Sequence, residues 1–223
     1  MADAYGLRVR NKDKILQIDG DYQCQELVSV STLTMSSRDD FLPGYHADLT
    51  VPSGRENTTI AVSGSSQGVY VKKISPTVFR IYSGNSSDGK RTVKVYVFAD
   101  PLNNEVGGVG LVVRSRTTGG IVYNSNKRYA RILGFVPVSV NVYQAYSGSY
   151  PGKSIAIIQS VRPYAIQTTA YAQEFFSGVM RNNGESAYII EHRHVARAPG
   201  QGSRENLYES PQGTYIIVDV TDY

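Results

Sequence analysis

The chain writes its opening twice. "GLRVRNKDKILQIDGDY" (Gly6–Tyr22) returns about a hundred residues later as "GLVVRSRTTGGIVYNSNKRY" (Gly110–Tyr129). Gly6 meets Gly110, Leu7 meets Leu111, Val9 meets Val113 and Arg10 meets Arg114. A polar turn follows in each copy, longer in the second, then an apolar pair (Ile15-Leu16, Ile121-Val122) and a polar cluster with a tyrosine. Runs of strand-forming residues around an Asn/Asp/Gly/Ser-rich turn read as a β-hairpin. The far ends match as well: "TVKVYVFAD" (Thr92–Asp100) precedes a Pro/Asn loop, and "TYIIVDVTD" (Thr214–Asp222) lies near the end of the chain. Both alternate apolar and polar from a Thr to an Asp. Each unit thus opens with a hairpin and closes with a long strand. Units of about a hundred residues are long enough to bury a core of their own, so the expected architecture is all-β, two tandem β-sandwich domains at 1–104 and 105–223, each opening with a related hairpin.

Composition agrees with an all-β reading. Tyr is abundant at 17, Trp is absent, and Gly reaches 21 of 223 residues. Tyr, Val, Thr and Ile suit a pleated, half-exposed surface. Strand candidates recur at sandwich spacing: 27–35, 46–51, 58–63, 68–74, 77–83 and 91–99 in the first half, and 138–147, 153–160, 186–198 and 213–220 in the second. "AYAQEFFSGVM" (170–180) fits a short helix or a strand, because its apolar spacing alone does not separate the two. "APGQGSRENLYESPQG" (198–213) reads as a long polar loop, a kind of segment that is usually functional or mobile.

No apolar run approaches the roughly 20 residues a membrane helix needs, and "MADAYGLRV" lacks the basic start and apolar stretch of a signal peptide. The expectation is a soluble protein made in a cytoplasm, without membrane insertion. Cys24 is the only cysteine, which excludes an internal disulfide and a cysteine-rich zinc site. Net charge is +4, and the surplus lies in one half: residues 1–105 hold 12 basic and 12 acidic side chains, residues 106–223 hold 11 and 7. Such a surplus favours acidic partners without dictating a fold.

Sites for chemistry are scarce. His192 and His194 in "EHRHV" point to one face if that run is a strand, but a metal site needs three or four convergent ligands, and His46, Glu185 or an Asp would have to join them. A solvated polar face is the simpler reading. There is no G-x-S-x-G elbow for a nucleophile, no carboxylate pair that stands out as a glycosidase couple, and no phosphate loop, since "GGVG" (107–110) lacks its Lys and Ser/Thr. No catalytic residue and no cofactor are expected. "EHRHVARAPGQGSR" (191–204) is basic enough to meet phosphates of nucleic acid or of a bacterial lipopolysaccharide, although charges on a strand edge also serve to block unwanted pairing. Tyrosines gather at "YSGSYPG". Tyr offers large contact area, limited side-chain entropy and a polar tip. The candidate contacts for a partner or glycan are therefore Tyr143, Tyr146, Tyr150, Arg193, Arg197 and Arg204.

The first thirty residues add a resemblance. Tyr5, Gly6, Leu7, Val9 and Asn11, then Asp19 and Tyr22 after a turn, resemble the opening of small all-β virion proteins from the tail-tip and tail-fibre region of tailed bacteriophages. The turn departs from that pattern, with Lys12-Asp13-Lys14 where the family carries a glycine. The resemblance implies a non-enzymatic virion component, made in the host cytoplasm and built into the tail. It would work through interfaces with other tail proteins and with copies of itself. The alternative it leaves is a tail protein that binds a host receptor or surface glycan during adsorption. Nucleic acid is not an expected partner.

Overall fold

Alternation sets the architecture. The structure, a computed structural model, describes residues 9–10, 16–18, 24–38, 44–55, 57–64, 68–83, 91–102, 109–115, 117–139, 144–168, 172–182, 185–199, 206–210 and 212–223. Those residues form strands, turns and bends and no helix. The two opening repeats are hairpins: β1 (Val9–Arg10) with β2 (Leu16–Ile18), and β10 (Val112–Arg114) with β11 (Ile121–Asn124). Each has a register shift at the same aligned step, Val9/Arg10 and Val113/Arg114.

The rest of the first half supplies β3 (Glu26–Met35), β4 (Ser37–Arg38), β5 (Tyr45–Thr50), β6 (Thr58–Ser63), β7 (Val69–Lys73), β8 (Val78–Ser83) and β9 (Arg91–Ala99). The second half supplies β12 (Arg131–Ser139), β13 (Ala145–Ser149), β14 (Ile155–Val161), β15 (Tyr164–Thr168), β16 (Ala172–Asn182), β17 (Ala187–Pro199), β18 (Asn206–Ser210) and β19 (Gln212–Asp219). The segment that left helix and strand open is a strand, β16. Two other readings need correction. The run 138–147 is split between β12 and β13, and the polar stretch 198–213 contains β18, which pairs with β15. That partner lies about forty residues earlier in the chain, so local composition gave no sign of it.

All ladders are antiparallel, and two large sheets result. One runs β3-β9-β6-β14-β19-β12, and the other β4-β5-β8-β7-β16-β17-β13, with β15 on β16 and β18 on β15. Each sheet therefore crosses from the first half of the chain to the second. The crossing is short: Ile157 faces Val62 and Ile158 faces Ala61 in one sheet, and Met180 faces Val69 in the other. A single core fills the space between the sheets, with Val93, Val95, Val97, Ile155, Ile157 and Ile217 from one and Ile81, Met180 and Ile190 from the other. The central strands are buried on both faces. Tyr96 and Phe98 of β9, Ala61, Ala156, Ile158 and Val218 form a second cluster on the outer side of the six-stranded sheet. Double burial explains why "TTIAVS" and "SIAIIQS" show apolar runs in place of alternation.

Registers repeat between the halves. Glu26 opens β3 opposite Ala99, and Arg131 opens β12 opposite Asp219. One residue is then extra in each edge strand, Val28 and Leu133, at the bulges Leu27/Ser29 and Ile132/Gly134. Thr34 faces Thr92, and Ser139 faces Gln212. By this register β9 matches β19 with an offset of two from the Thr-to-Asp reading of the sequence, a shift that keeps every side chain on its face.

Charge pairs fasten the same end of both halves. Buried Glu26 meets Arg55 at 2.9 Å and Lys127 at 3.9 Å. Buried Asp219 meets Lys153 at 2.9 Å and Arg131 at 3.4 Å. The second hairpin docks here too: the Cys24 amide donates to the Val122 carbonyl (3.2 Å), Leu27 to Arg128 (2.6 Å) and Ala130 to Gln25 (3.1 Å). Burial pushes the Asp219 carboxyl up, but hydrogen bonds from Thr221 and Lys153 and the Arg131 charge outweigh it and hold the group below its ordinary value. A depressed folded value stabilises the fold above the unfolded pKa and loses that contribution as pH falls through the folded one. Asp219→Asn is expected to cost about 1–3 kcal/mol in urea unfolding at pH 7, with the gap to wild type closing below about pH 4; a gap that is the same at pH 7 and pH 3 contradicts the assignment.

Candidate functional site

The residues singled out from sequence fall in three places. Tyr143 and Arg204 lie outside the described residues. Tyr146 and Tyr150 sit at the open edge where β13 faces β12. Tyr146 presents its hydroxyl to the Ser139 amide at 3.2 Å and to Ser139 Oγ at 3.2 Å. Tyr150 stacks on Tyr188 with centroids 6.5 Å apart. Its hydroxyl lies over Gly134 of the opposite sheet, so close that no room is left for a Cβ there. Both rings pack against the core. Burial, then the neighbouring Tyr150, push the Tyr188 phenol above its ordinary value. These tyrosines close a side of the sandwich.

Arg193 is on the other face of the same sheet. Ile190 points into the core and pairs with Tyr146, whereas Arg193 shares the face of Glu191 by the two-residue period. Glu191 Oε1 is 2.8 Å from Arg193 and 3.2 Å from Arg181. Arg197 lies further along β17, opposite Glu174 of β16. The structure thus brings Tyr146 and Tyr150 together but does not converge them with Arg193. His192 is buried opposite Gly178, and among the described residues no three of His, Cys, Asp and Glu gather as metal ligands.

Two features were not visible in the sequence. The first is a β-arm. β16 and β17 run 11 and 13 residues, whereas β7 and β8, their positional counterparts in the first half, run 5 and 6. β7 meets β16 at Met180, and β15 takes over along Gln173–Ser177. The extension is a four-stranded ribbon in the order β17-β16-β15-β18.

The second feature follows from the short crossing. β6 and β14 pair at two positions and then diverge, leaving a cleft at either end. One cleft, of about 490 Å³, is lined by Lys94, Tyr96, Asn182, Glu185, Asp222 and Tyr223 among others. Lys94 Nζ lies 5.0 Å from the centre of the Tyr96 ring and donates to the Tyr223 carbonyl at 3.3 Å. The Asn182 carboxamide is buried and donates to the Ile155 carbonyl at 2.9 Å. The other cleft, of about 380 Å³, carries Lys73, Gln159 and Arg162 and, among the described residues, no carboxylate in its lining. The Arg162 guanidinium lies over two rings, Tyr70 at 5.1 Å and Tyr164 at 5.3 Å, and Tyr70 is itself stacked on Tyr82 at 4.8 Å. The one trace of this cleft in the sequence is Gln159, a polar residue in the otherwise apolar strand "SIAIIQS".

No protein-family model, curated protein or solved structure matches this chain.

The edge tyrosines act through packing. Tyr150→Ala is expected to lower stability by about 2 kcal/mol, and Tyr150→Phe by less than about 1 kcal/mol. Urea unfolding of both variants checks this; equal losses would mean that the hydroxyl, not the ring, is the contribution.

Proposed function

We propose that the chain is a structural component of a bacteriophage tail tip or tail-fibre attachment site, working through protein–protein interfaces in a multi-copy assembly. The observation that carries this reading is the β-arm: a four-stranded ribbon continued past the sandwich is built to present a strand edge to a neighbour. Exposed apolar side chains on the sandwich support it, with Phe135 62% exposed on edge strand β12 and Val161 47% exposed on β14. The opening "YGLRVRN" and the Asp19–Tyr22 pair supply the resemblance that names the assembly.

In this proposal residues 1–104 and 105–223 are two copies of one sandwich unit, joined edge to edge. Repeated strand order, repeated registers and the paired bulges at Val28 and Leu133 support it. The first unit is the attachment side, and the second, which holds the basic surplus and the arm, faces outward. The chain is non-enzymatic, is made in the host cytoplasm and resides in the virion tail. Its partners are other tail proteins and further copies of itself, and neither nucleic acid nor a membrane interior is among them.

A second reading, adsorption to a host receptor or surface glycan, is favoured by the 490 Å³ cleft. Two tyrosines, an ammonium, two carboxylates and a carboxamide line it, a mixture of rings and hydrogen-bonding groups that suits a polyhydroxylated ligand.

Light scattering of the purified chain, run beside a pull-down with intact host cells, separates the two. The structural reading expects a discrete multimer that ignores cells and loses mass on Phe135→Asp. A monomer that stays monomeric and adheres to cells, released by salt or sugar, would replace it with the second reading. In that case Arg197→Ala with Arg204→Ala is expected to cut adsorption at least about threefold at low salt.

A further inference from the structure

The 380 Å³ cleft holds one buried hydrogen-bond donor that has no acceptor among the described residues. Gln159 crosses from β14 to the other sheet, where its Oε1 accepts the Val71 amide at 3.0 Å. That bond fixes the orientation of the carboxamide. Its Nε2 is buried and has no hydrogen-bond partner among the described residues. A buried donor left unpaired is costly, and one in a native fold calls for a partner. Arg162 beside it is oriented by the Tyr70 and Tyr164 rings, and its guanidinium makes no hydrogen bond or ion pair among the described residues. Lys73 brings a second positive charge, and Thr58, Thr59 and Ser160 are further polar residues of the lining, the Thr58 hydroxyl donating to the Arg55 carbonyl. Among the described residues no Asp or Glu lines the cleft. Ile158, Ile216 and Phe79 supply an apolar wall.

We infer that this cleft binds an oxyanion of the phosphate or sulfate class, carried on a small polar body such as a monosaccharide. A planar guanidinium fork takes two oxygens of such a group at once, and the carboxamide Nε2 supplies the donor a third oxygen accepts. The apolar wall and the volume, which falls within the roughly 300–1,000 Å³ of small-ligand sites, leave room for the carrier. The opposite cleft at the same seam has Glu185 and Asp222 in its lining and does not favour an anion. The inference stands apart from the assembly proposed above: neither requires the other.

The test uses the whole chain labelled with nitrogen-15, titrated with inorganic phosphate and separately with glucose 6-phosphate. Ionic strength is matched with chloride, and the Gln159 side-chain amide is followed by NMR. A saturable shift of that amide is expected. Arg162→Ala should weaken the apparent affinity at least about tenfold, and Arg162→Lys by less, because it keeps the charge and loses the fork. Ser160→Asp, at an exposed position, puts a carboxylate at the mouth and should abolish the shift even if Arg162→Ala does not fold. Tighter binding of the sugar phosphate identifies a carried group, and equal affinity identifies the free ion; both support an oxyanion site. An amide that does not move with either probe, or moves equally in wild type and Ser160→Asp, overturns the inference.

Discussion

The short seam between the halves governs the rest of the molecule. Within the two large sheets three described ladder positions join them, two in one sheet and one in the other, beside the backbone bonds of the second hairpin to β3. So few backbone pairs cannot hold two bodies together alone, since each hydrogen bond nets only about 1 kcal/mol. The seam holds because the sheets on either side are continuous and their inner faces share one core. β6 and β14 are thereby forced into the middle of a sheet. Their neighbours β9 and β19 are covered on both faces, which is why Val95, Val97, Phe98, Ile217 and Val218 are all fully or almost fully buried. Ala61 and Ile158 meet at the centre of this arrangement. A small residue facing a large one lets the outer cluster close over a junction where two strands splay.

Local signals in the sequence carried the elements, and long-range pairing carried what the sequence did not reveal. The hairpins were legible because turn residues sit between strand formers, and the bulges fall at the aligned steps Val9/Arg10 and Val113/Arg114. The long strands were legible from alternation or, at "SIAIIQS", from an apolar run. The shared sheets were not, because Val62 and Ile157 are almost a hundred residues apart and no local pattern says which edge meets which. β18 was hidden for the same reason: "NLYES" becomes a strand only because β15 offers a partner. The candidate site fared unevenly. Tyr146 and Tyr150 stood out by composition, yet their hydroxyls and rings are taken up by Ser139, Gly134 and Tyr188. Arg162 and Gln159 did not stand out, since a lone Arg after a strand and a lone Gln within one are ordinary until the fold sets them beside Tyr70 and the Val71 amide.

The same seam makes two clefts from one geometry and gives them different chemistry. Where one end has Glu185, Asp222 and Asn182, the other has Arg162, Lys73 and Gln159. A fold does not decide what such a site takes; the side chains grafted onto it do. Two ends of one junction, already shaped by strand divergence, are free to differ because neither is needed to close the core. The charged pairs that do close the structure, Glu26 with Arg55 and Asp219 with Lys153, lie at the strand ends.

The edges narrow how such a molecule meets its neighbours. An open strand edge invites another strand to add to it unless something blunts it. β12 is blunted twice, by the extra residue at Leu133 and by Pro137, which has no N–H to offer a new ladder. β3 carries the matching bulge at Val28, and the second hairpin is hydrogen-bonded to its beginning through Gln25, Leu27 and the Glu26–Tyr129 bridge. Both edges of the six-stranded sheet are thus poor templates for strand addition. In the proposed assembly, contacts built from this sheet would run through side chains that stand off its faces, with Phe135 the most exposed aromatic among the described residues. The ribbon of β15 to β18 differs, since its outer strand β18 carries no partner beyond β15 among the described residues. The faces of the sandwich and the edge of the arm are separate surfaces, and the assembly proposed above would use them for two different neighbours at once.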